Sequence, residues 1–182
     1  MGGKAKGLLP GPGGEPIVSR WVRIFGQLGI AHVLVGEHPA YTSFGIPTIP
    51  DDVRAPGPVG GLLALLEHAN VCSRGPSHVI HVVAVACDMP HVSETLVRKL
   101  IEAAPAPIVA PRAPREGGFW EPFFARYDVG AVLPVARVWT AEKRPSLQGL
   151  LNACGASELP LDAEQLGELR DWDAPEDIDC AP

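Results

Sequence analysis

Three sets of carboxylates in this sequence follow apolar or turn segments, as acids at the carboxyl ends of strands do. They are Asp51 with Asp52, Asp88 alone, and Asp171 with Asp173. A parallel sheet brings the carboxyl ends of its strands to one rim, where such acids would meet. Acids that meet repel one another, and a hard divalent cation together with substrate phosphates would compensate their charge. Each acid alone is explained by a cap or a turn, whereas together they indicate a magnesium site, and both interpretations stay open.

Asp88 has the most informative position. It follows a run of β-branched residues and alanines that begins at His78, a composition typical of a central strand buried on both faces in a parallel sheet. Pro90 prevents further ladder pairing, so the carboxylate is predicted at the carboxyl end of this strand, where ligands bind in open α/β sheets. The alternative is a turn residue ahead of a helix that starts near Ser93.

Two glycine-rich segments are candidates for phosphate binding. In the first, Gly2, Gly3 and Gly7 leave backbone N–H groups accessible, and Lys6 adds a mobile charge that can follow phosphate oxygens. A tail with two lysines is the alternative, because the full Gly-x-x-x-x-Gly-Lys-Ser/Thr pattern is absent.

The second segment is Pro56-Gly57-Pro58-Val59-Gly60-Gly61. Glycines just before a helix place unpaired N–H groups at its positive end, which attracts a phosphate or a base-edge acceptor. A tight turn into the helix explains the same residues equally well.

Other chemistries have less support. The serines lie in no nucleophile elbow and the histidines have no partner at useful spacing, so a covalent hydrolase is not indicated. The four cysteines are scattered, which argues against zinc and favours reduced structural thiols. An aromatic cluster could stack a flat heterocycle, although core or dimer packing is the stronger interpretation. Its members are Phe119, Trp120, Phe123, Phe124 and Tyr127.

The elements that must position these residues alternate between strands and helices. Apolar runs predict strands at 30–35, 46–49, before Asp88 and at 108–110, with 119–127 also extended. Helical periodicity predicts helices at 16–28, 62–69, 93–104, 135–139, 146–153 and 162–170. Strands alternating with helices of about 10–15 residues form βαβ units, so the predicted class is α/β with a mostly parallel sheet.

Length and charge narrow the class of function. A chain of 182 residues is expected to form one domain, 1–182, with a single core. Its net charge of −6 argues against a nucleic-acid surface, which needs clustered excess Lys and Arg. No apolar run approaches the ~20 residues of a membrane span, and no segment resembles a signal peptide, so a cytoplasmic protein is expected.

Five motifs in order resemble those of the molybdenum cofactor guanylyltransferases, members of the MobA-like nucleotidyltransferase family. They are 1–9, 56–62, Ala86-Cys-Asp-Met-Pro90, Glu121-Pro122 ahead of aromatic residues, and Asp173-Ala-Pro-Glu-Asp177. The resemblance runs over nearly the whole chain. It implies a Rossmann-like three-layer sandwich of the nucleotide-diphospho-sugar transferase type. It also implies transfer of GMP from GTP to the phosphate of molybdopterin or molybdenum cofactor, with Mg²⁺ and release of pyrophosphate.

The resemblance also implies roles for single residues. Lys6, in the loop with Gly2 and Gly3, would contact the nucleotide phosphates, and Asp88 would bind magnesium. Pro56 and Gly57 would line the guanine and ribose pocket, with Asp51 also facing the nucleotide. Asp173 stands where the family often has an amide, a change that should strengthen metal ligation. Arg112 and Arg115, in the loop after the strand at 108–110, are candidates for binding the anionic pterin. Apoenzymes or chaperones that receive the cofactor are possible partners.

The sequence departs from the family in three places. The family's first strand and the first half of its glycine-rich loop are absent, Ala5 replaces an Asp, and Gly36 stands where an Asn often reaches the base. We therefore expect the reading frame to continue upstream into an apolar strand that ends in Gly-Gly. Two alternatives remain open, a cytidylyltransferase or related enzyme with another phosphorylated acceptor, and a non-catalytic relative that binds a nucleotide or a partner enzyme.

Overall fold

The computed structural model of the protein describes residues 5–55, 57–72, 79–113, 118–140 and 145–172. Six α-helices lie in these ranges: α1 Ile17–Gln27, α2 Pro58–Cys72, α3 Glu94–Glu102, α4 Val129–Trp139, α5 Leu147–Ala153 and α6 Ala163–Glu168. The described strands are β1 Leu34–Val35, β2 Thr48–Ile49, β3 His81–Val85, β4 Ile108–Ala110, β5 Phe124–Asp128 and β6 Ser157–Glu158. Two 3-10 helices, Lys6–Leu8 and Pro39–Phe44, complete the described elements.

The described strands form two sheets. One pairs β1 with β2 in parallel, and the other has the order β3-β5-β4-β6. In the larger sheet β5 runs antiparallel to both β3 and β4, whereas β6 is parallel to β4. Three of its four strands therefore run in one direction. The predicted mixed α/β fold with mostly parallel strands is confirmed, and β5 is the reversed strand within it.

Helices cover both faces of the larger sheet. Leu62, Leu63 and Leu66 of α2 pack with residues of α4 and α5 against one face. Trp21 of α1 and Leu100 of α3 belong to the hydrophobic cluster on the opposite face. Because side chains alternate along a strand, β3, β4 and β5 each contribute to both clusters, and the sheet is the middle of three layers.

Local signals explain where several helices start and end. The side chain of Ser93 accepts from the Leu96 N–H, and Asp162 forms a capping box with Gln165. The buried guanidinium of Arg126 on β5 donates to the carbonyl oxygens that end α3, at 2.6 Å for Ile101 and 2.8 Å for Ala103. It stabilises a helix end that would otherwise leave carbonyl groups unpaired.

Two predicted elements need correction. The strand before Asp88, predicted to be central and buried on both faces, is β3 at the edge of its sheet, and only Ala84 in it is buried. The strand predicted at 30–35 is reduced to Leu34–Val35. In both cases one edge of the strand pairs with no other described strand. Pairing on one side only leaves β3 partly exposed and β1 short.

The aromatic residues lie mainly in the core. Trp120 is 5% exposed, and Phe124 and Tyr127 are fully buried. The Tyr127 hydroxyl donates to the Pro122 carbonyl oxygen at 2.7 Å, so even its polar end is used internally. Core packing, not a platform for a heterocycle, is the correct interpretation for these three side chains.

Within the described ranges, we find no helix that combines the length and the apolar character a membrane crossing requires.

Candidate functional site

A cavity of about 1170 Å³ lies between residues 30–35 on one side and residues 80–88 on the other, with α1 and α2 also lining it. Most of its wall is apolar. We call its charged side chains, together with two glycines, the polar end: Lys6, Asp51, Gly57, Gly61, Asp88, Glu121 and Asp171; three histidines, His32, His68 and His81, also line the cavity. The seven residues of the polar end come from five separate parts of the chain. Four of them were predicted site residues: Lys6, Asp51, Gly57 and Asp88.

Lys6 and Asp88 form an ion pair in the polar end. The Lys6 Nζ donates to Asp88 Oδ2 at 2.9 Å, and the side chains are 35% and 20% exposed, respectively. Asp88 follows β3 by three residues, as the sequence predicted. A part-exposed ion pair of this kind contributes about 1 kcal/mol or less to stability. An anionic ligand can therefore replace the Asp88 carboxylate as the partner of the Lys6 ammonium.

The loop that carries Lys6 is held by Tyr41, a residue that no sequence motif singled out. The Gly7 N–H donates to the buried hydroxyl of Tyr41 at 3.0 Å. Burial raises the pKa of Tyr41, so the hydroxyl stays protonated at neutral pH. A Cβ on Gly7 would lie 2.8 Å from the Tyr41 oxygen, which explains why the closest approach occurs at a glycine.

A backbone hydrogen bond holds the chain at Asp171 and Trp172 beside the segment that follows β3. The Trp172 N–H donates to the carbonyl oxygen of Asp88 at 2.9 Å, and Asp171 lines the cavity. The Trp172 ring is 3% exposed and meets His91 edge to face, with ring centroids 5.7 Å apart. His91 and Trp172 therefore fix the chain near residue 171 against the segment that follows β3.

We predict that His91 makes stability depend on pH between 7 and 5. Burial lowers the pKa of His91 below 6.5, and the charges of Arg20 and Arg170 lower it further. A lowered histidine pKa means that the folded state binds fewer protons, so stability is complete above 6.5 and falls as the pH drops below it. As the pH is lowered from 7 to 5, the melting temperature of the unchanged protein should fall. The melting temperature of the His91→Gln variant should fall less over the same range. Parallel curves for the two proteins would contradict the prediction.

In the turn before α2, the adjacent acids Asp51 and Asp52 have different surroundings. Asp51 lines the cavity, whereas Asp52 forms hydrogen bonds with the Arg54 guanidinium, which lower its pKa. Arg54 also reaches Glu67, which Arg137 of α4 binds at 2.7 Å. This network ties the turn to α2 and α4, and it leaves Asp51 as the acid that faces the cavity.

Close packing at Gly60 predicts a large loss of stability for Gly60→Ala. An added Cβ would overlap the carbonyl oxygen of Ala55 and lie 2.8 Å from that of Asp52. Backbone atoms cannot move aside cheaply, so we expect a loss of about 2–3 kcal/mol, measured by urea unfolding. Gly26→Ala in α1 is the matched control, since its Cβ meets no atom within 4 Å. The control should be neutral or slightly stabilising, and equal losses in both variants would contradict the packing argument.

Several predicted residues are not part of this geometry. Gly2, Gly3, Pro56, Arg115 and Asp173 lie outside the described residues. Arg112 is described but does not line the cavity.

Arg112 has other partners in the structure. Its guanidinium carbon lies 3.8 Å from the centroid of the Trp120 ring, and its nitrogens contact the Gly118 carbonyl oxygen and Glu158. Arg112, which the sequence analysis gave as a candidate for binding the anionic pterin, therefore stacks on the buried Trp120 ring.

The side chains of the polar end that could bind a metal ion are carboxylates, whose ligand atoms are oxygens. Among the described residues no group of three or more His, Cys, Asp or Glu side chains could hold a metal ion. Mg²⁺ commonly binds through one or two carboxylates and completes its octahedron with waters and substrate phosphates. The Asp88 carboxylate suits that mode of binding, whereas the Cys87 thiol does not, since burial raises its pKa to about 11.

Two residues of the polar end, Glu121 and Gly61, were not among the site residues predicted from the sequence. Glu121 was quoted only as part of a motif, and Gly61 only as part of a turn. A Cβ on Gly61 would lie 3.1 Å from Asp51 Oδ1, so the glycine allows α2 to start beside that carboxylate. The signal available for Glu121 was its position before Pro122, at the entry to an aromatic strand.

Residues 1–156 match the family described as "MobA-like NTP transferase domain". The chain belongs to this family. A molybdenum cofactor guanylyltransferase of Pseudomonas putida (strain GB-1) is 30% identical over 156 residues, which cover 83% of this chain and 75% of the relative. The enzyme of the same name from Pseudomonas fluorescens (strain SBW25) is 29% identical over 93% of this chain and 82% of its own. The family predicted from five short motifs is confirmed.

Solved structures show the fold of this MobA-like chain. Molybdopterin-guanine dinucleotide biosynthesis protein A from Archaeoglobus fulgidus superposes with a TM-score of 0.71 at 17% identity, covering 97% of this chain and 88% of that one. A 2-C-methyl-D-erythritol 4-phosphate cytidylyltransferase from Thermus thermophilus gives a TM-score of 0.62 at 17% identity, with coverage of 95% and 90%. The nucleotide-diphospho-sugar transferase fold predicted from the motifs is confirmed.

Proposed function

We propose that this chain, acting as one nucleotidyltransferase domain, transfers GMP from GTP to the terminal phosphate of molybdopterin, with or without bound molybdenum. The observation that supports this most directly is the Lys6–Asp88 pair at 2.9 Å in the polar end of the cavity. A cation and an acid side by side at the end of a strand suit a ligand that carries both phosphates and a metal ion. Membership of the MobA-like family and the names of the relatives support the choice of substrates.

The reaction needs no covalent nucleophile from the protein. An oxygen of the acceptor phosphate, already anionic, attacks the α-phosphorus of GTP. The bond from the α-phosphorus to the bridging oxygen breaks, and pyrophosphate leaves with that electron pair. The protein has to hold the two substrates in line and neutralise charge on the reacting phosphates.

Lys6 has the position and the chemistry to follow the departing pyrophosphate. Its flexible stem ends in three N–H donors, and its 3-10 helix is fixed at Gly7 by Tyr41. When phosphates enter, the ammonium exchanges the Asp88 carboxylate for phosphate oxygens. That exchange leaves Asp88 free to act as a metal ligand.

We assign Mg²⁺ binding to Asp88 and Asp173. The Trp172 N–H donates to the Asp88 carbonyl oxygen, and Asp173 is the next residue in the sequence. Bound there, Mg²⁺ would neutralise charge on the α-phosphate and the pyrophosphate.

The turn before α2 is the proposed site for the base and ribose. Asp51 and Gly57 line the polar end on the α2 side, and Gly57 has a φ of +63°, a conformation that favours glycine. Pro56, the adjoining residue, is assigned to the same pocket, and Gly2 and Gly3 to the phosphate loop. Gly57 and Gly61 carry no side chain, which suits close approach of a flat base.

A cytidylyltransferase is the second candidate. The structural likeness to the Thermus thermophilus cytidylyltransferase, with its TM-score of 0.62, is the observation in its favour. The curated relatives named as guanylyltransferases favour GTP over CTP.

A thermal-shift titration with GTP, CTP and ATP, each with and without Mg²⁺, tests the proposal. A ligand at 100 times its Kd adds about 2.7 kcal/mol, which raises the melting temperature by roughly 5 °C or more. We expect a Mg²⁺-dependent response to GTP, followed by pyrophosphate release only when molybdopterin is added. A response to CTP instead would favour the second candidate. A cooperative melt unaffected by any nucleotide would contradict both.

A further inference from the structure

Tyr41 is one of three buried residues of a further hydrophobic cluster, separate from the two that cover the larger sheet, and its side chain is 9% exposed. Leu8, two residues after Lys6, packs against this cluster. Cys87, the residue before Asp88, packs against it as well. The cluster of Tyr41 therefore contacts both chain segments whose side chains form the ion pair of the polar end.

The 3-10 helix Pro39–Phe44 holds the Tyr41 ring by local contacts. At its start, the His38 side chain accepts from the Ala40 N–H, and the His38 carbonyl oxygen accepts from the Tyr41 N–H at 3.0 Å. The ring centroids of His38 and Phe44 lie 5.7 Å and 6.5 Å from that of Tyr41. Because two neighbouring rings and the buried cluster restrict the Tyr41 ring, its hydroxyl oxygen is held in a defined position.

The hydroxyl of Tyr41 joins the loop of Lys6 to a distant part of the chain. The Gly7 N–H donates to it at 3.0 Å, across 34 residues of sequence. Within the loop, the Leu8 and Leu9 N–H groups donate to carbonyl oxygens three residues earlier, both at 3.0 Å. These local bonds shape the turn, whereas the bond to Tyr41 sets where the turn lies.

We propose that Tyr41 is a positioning residue for phosphate binding, which holds the Gly7 N–H so that the Lys6 ammonium stays where the β- and γ-phosphates of the nucleotide bind. This inference rests on the proposed function, which assigns those phosphates to Lys6. A lysine side chain is a flexible stem with a charge at its end, so its reach depends on where its backbone is fixed. Tyr41 does not line the cavity, so it acts through Lys6 and not by touching the nucleotide.

Tyr41→Phe tests the hydroxyl, because it removes the acceptor of the Gly7 N–H and keeps the ring. GTP and pyrophosphate, each titrated calorimetrically with Mg²⁺, should bind about 3- to 10-fold more weakly to the variant. GMP has no β- or γ-phosphate, so its affinity should change less than about 2-fold. Equal weakening of all three ligands would show a general structural role and overturn the proposal.

The double variant Tyr41→Phe/Lys6→Met tests whether Tyr41 acts through the ammonium. Once the ammonium is absent, loss of the hydroxyl should cause no further loss of affinity for GTP or pyrophosphate. If Tyr41→Phe weakened binding by the same factor with and without the ammonium, the two residues would be independent and the proposal would be wrong.

Thr42→Val is the matched control in the same 3-10 helix. The Thr42 hydroxyl donates to the Pro39 carbonyl oxygen at 2.8 Å, so this variant also removes one hydroxyl hydrogen bond, but one that lies within the helix. The three affinities should stay unchanged. A control that weakened GTP as much as Tyr41→Phe would assign the effect to the helix as a whole and contradict the proposal.

Gly7→Ala reaches the same contact from the other side and keeps the test independent of how well Tyr41→Phe folds. The φ of Gly7 is negative, so alanine suits the backbone there. Its Cβ would lie 2.8 Å from the Tyr41 hydroxyl oxygen and 3.1 Å from the nearest ring carbon, which would push the loop away. Pyrophosphate affinity should fall at least as much as in Tyr41→Phe, and it should fall no further when Gly7→Ala is added to Lys6→Met.

Pyrophosphate separates this inference from the proposed function, since it carries phosphates without a base. Pyrophosphate binding with the expected coupling between Tyr41 and Lys6, in a protein that does not bind GTP, would contradict the proposed function alone. Pyrophosphate binding that neither Tyr41→Phe nor Gly7→Ala weakens would overturn this inference, whatever GTP does. Binding of neither GTP nor pyrophosphate, or pyrophosphate affinity unchanged by Lys6→Met, would contradict both.

Discussion

Replacement of Asp88 by Asn is expected to lower guanylyl transfer at least about 100-fold while the melting temperature changes by no more than about 3 °C. The side chain is 20% exposed, and its described ion pair is with Lys6. Loss of a part-exposed pair costs about 1 kcal/mol or less. Asn keeps the volume but removes the charge that a divalent cation requires. The measurement is pyrophosphate release with GTP and molybdopterin, together with a thermal melt.

Asp52→Asn is the matched control. Asp52 also lies in a turn and also pairs with a cation, Arg54, but it does not line the cavity. Its pKa is lowered by the Arg54 hydrogen bond, so its stabilising effect is present at neutral pH and is lost as the pH falls through its lowered pKa. The control should lose some stability and keep turnover. A fully active Asp88→Asn, or equal loss of turnover in both variants, would contradict the role of Asp88.

Replacement of Lys6 by Met is expected to weaken GTP binding about 10- to 100-fold, because a charge-assisted bond to phosphate is worth about 1.5–3 kcal/mol. The methionine keeps most of the apolar stem, so the change removes mainly the ammonium. Binding of GMP, which carries no β- or γ-phosphate, should weaken much less than binding of GTP. Isothermal titration of both nucleotides in the presence of Mg²⁺ measures the difference.

Lys99→Met supplies the comparison for a lysine away from the cavity. Lys99 lies on α3, where its ammonium donates to Gln165 at 2.8 Å, and it does not line the cavity. Its replacement should leave both affinities unchanged. Equal weakening of GTP and GMP by Lys6→Met would place the lysine on the base or the α-phosphate, and unchanged GTP affinity would remove Lys6 from the site.

Much of the fold was predictable from local pattern. The helices at α1 and α3 follow from apolar periodicity with Pro16 before one and a Ser93 cap before the other. The strand at Ile108–Ala110 was predicted with its observed bounds. These features depend on residues within a few positions of one another, and that is the range over which propensity and capping act.

The antiparallel direction of β5 was not predictable in the same way. Phe124–Asp128 has the composition of a buried strand, but its direction is set by pairing with β3 and β4, which are distant in sequence. The edge position of β3 is another long-range result, since a strand's composition indicates burial without naming its neighbours.

For the candidate site, the sequence by itself determined the position of Asp88 at the end of a strand and the glycine turn ahead of α2. The tertiary structure decided which acids face the cavity, because Arg54 engages Asp52 and leaves Asp51 on its wall. It also decided that Tyr41 fixes the loop of Lys6 and that Arg112 stacks on Trp120. A side chain's partner depends on which distant elements pack beside it, so residue type and spacing limit its chemistry, while the packing of the elements selects its contacts.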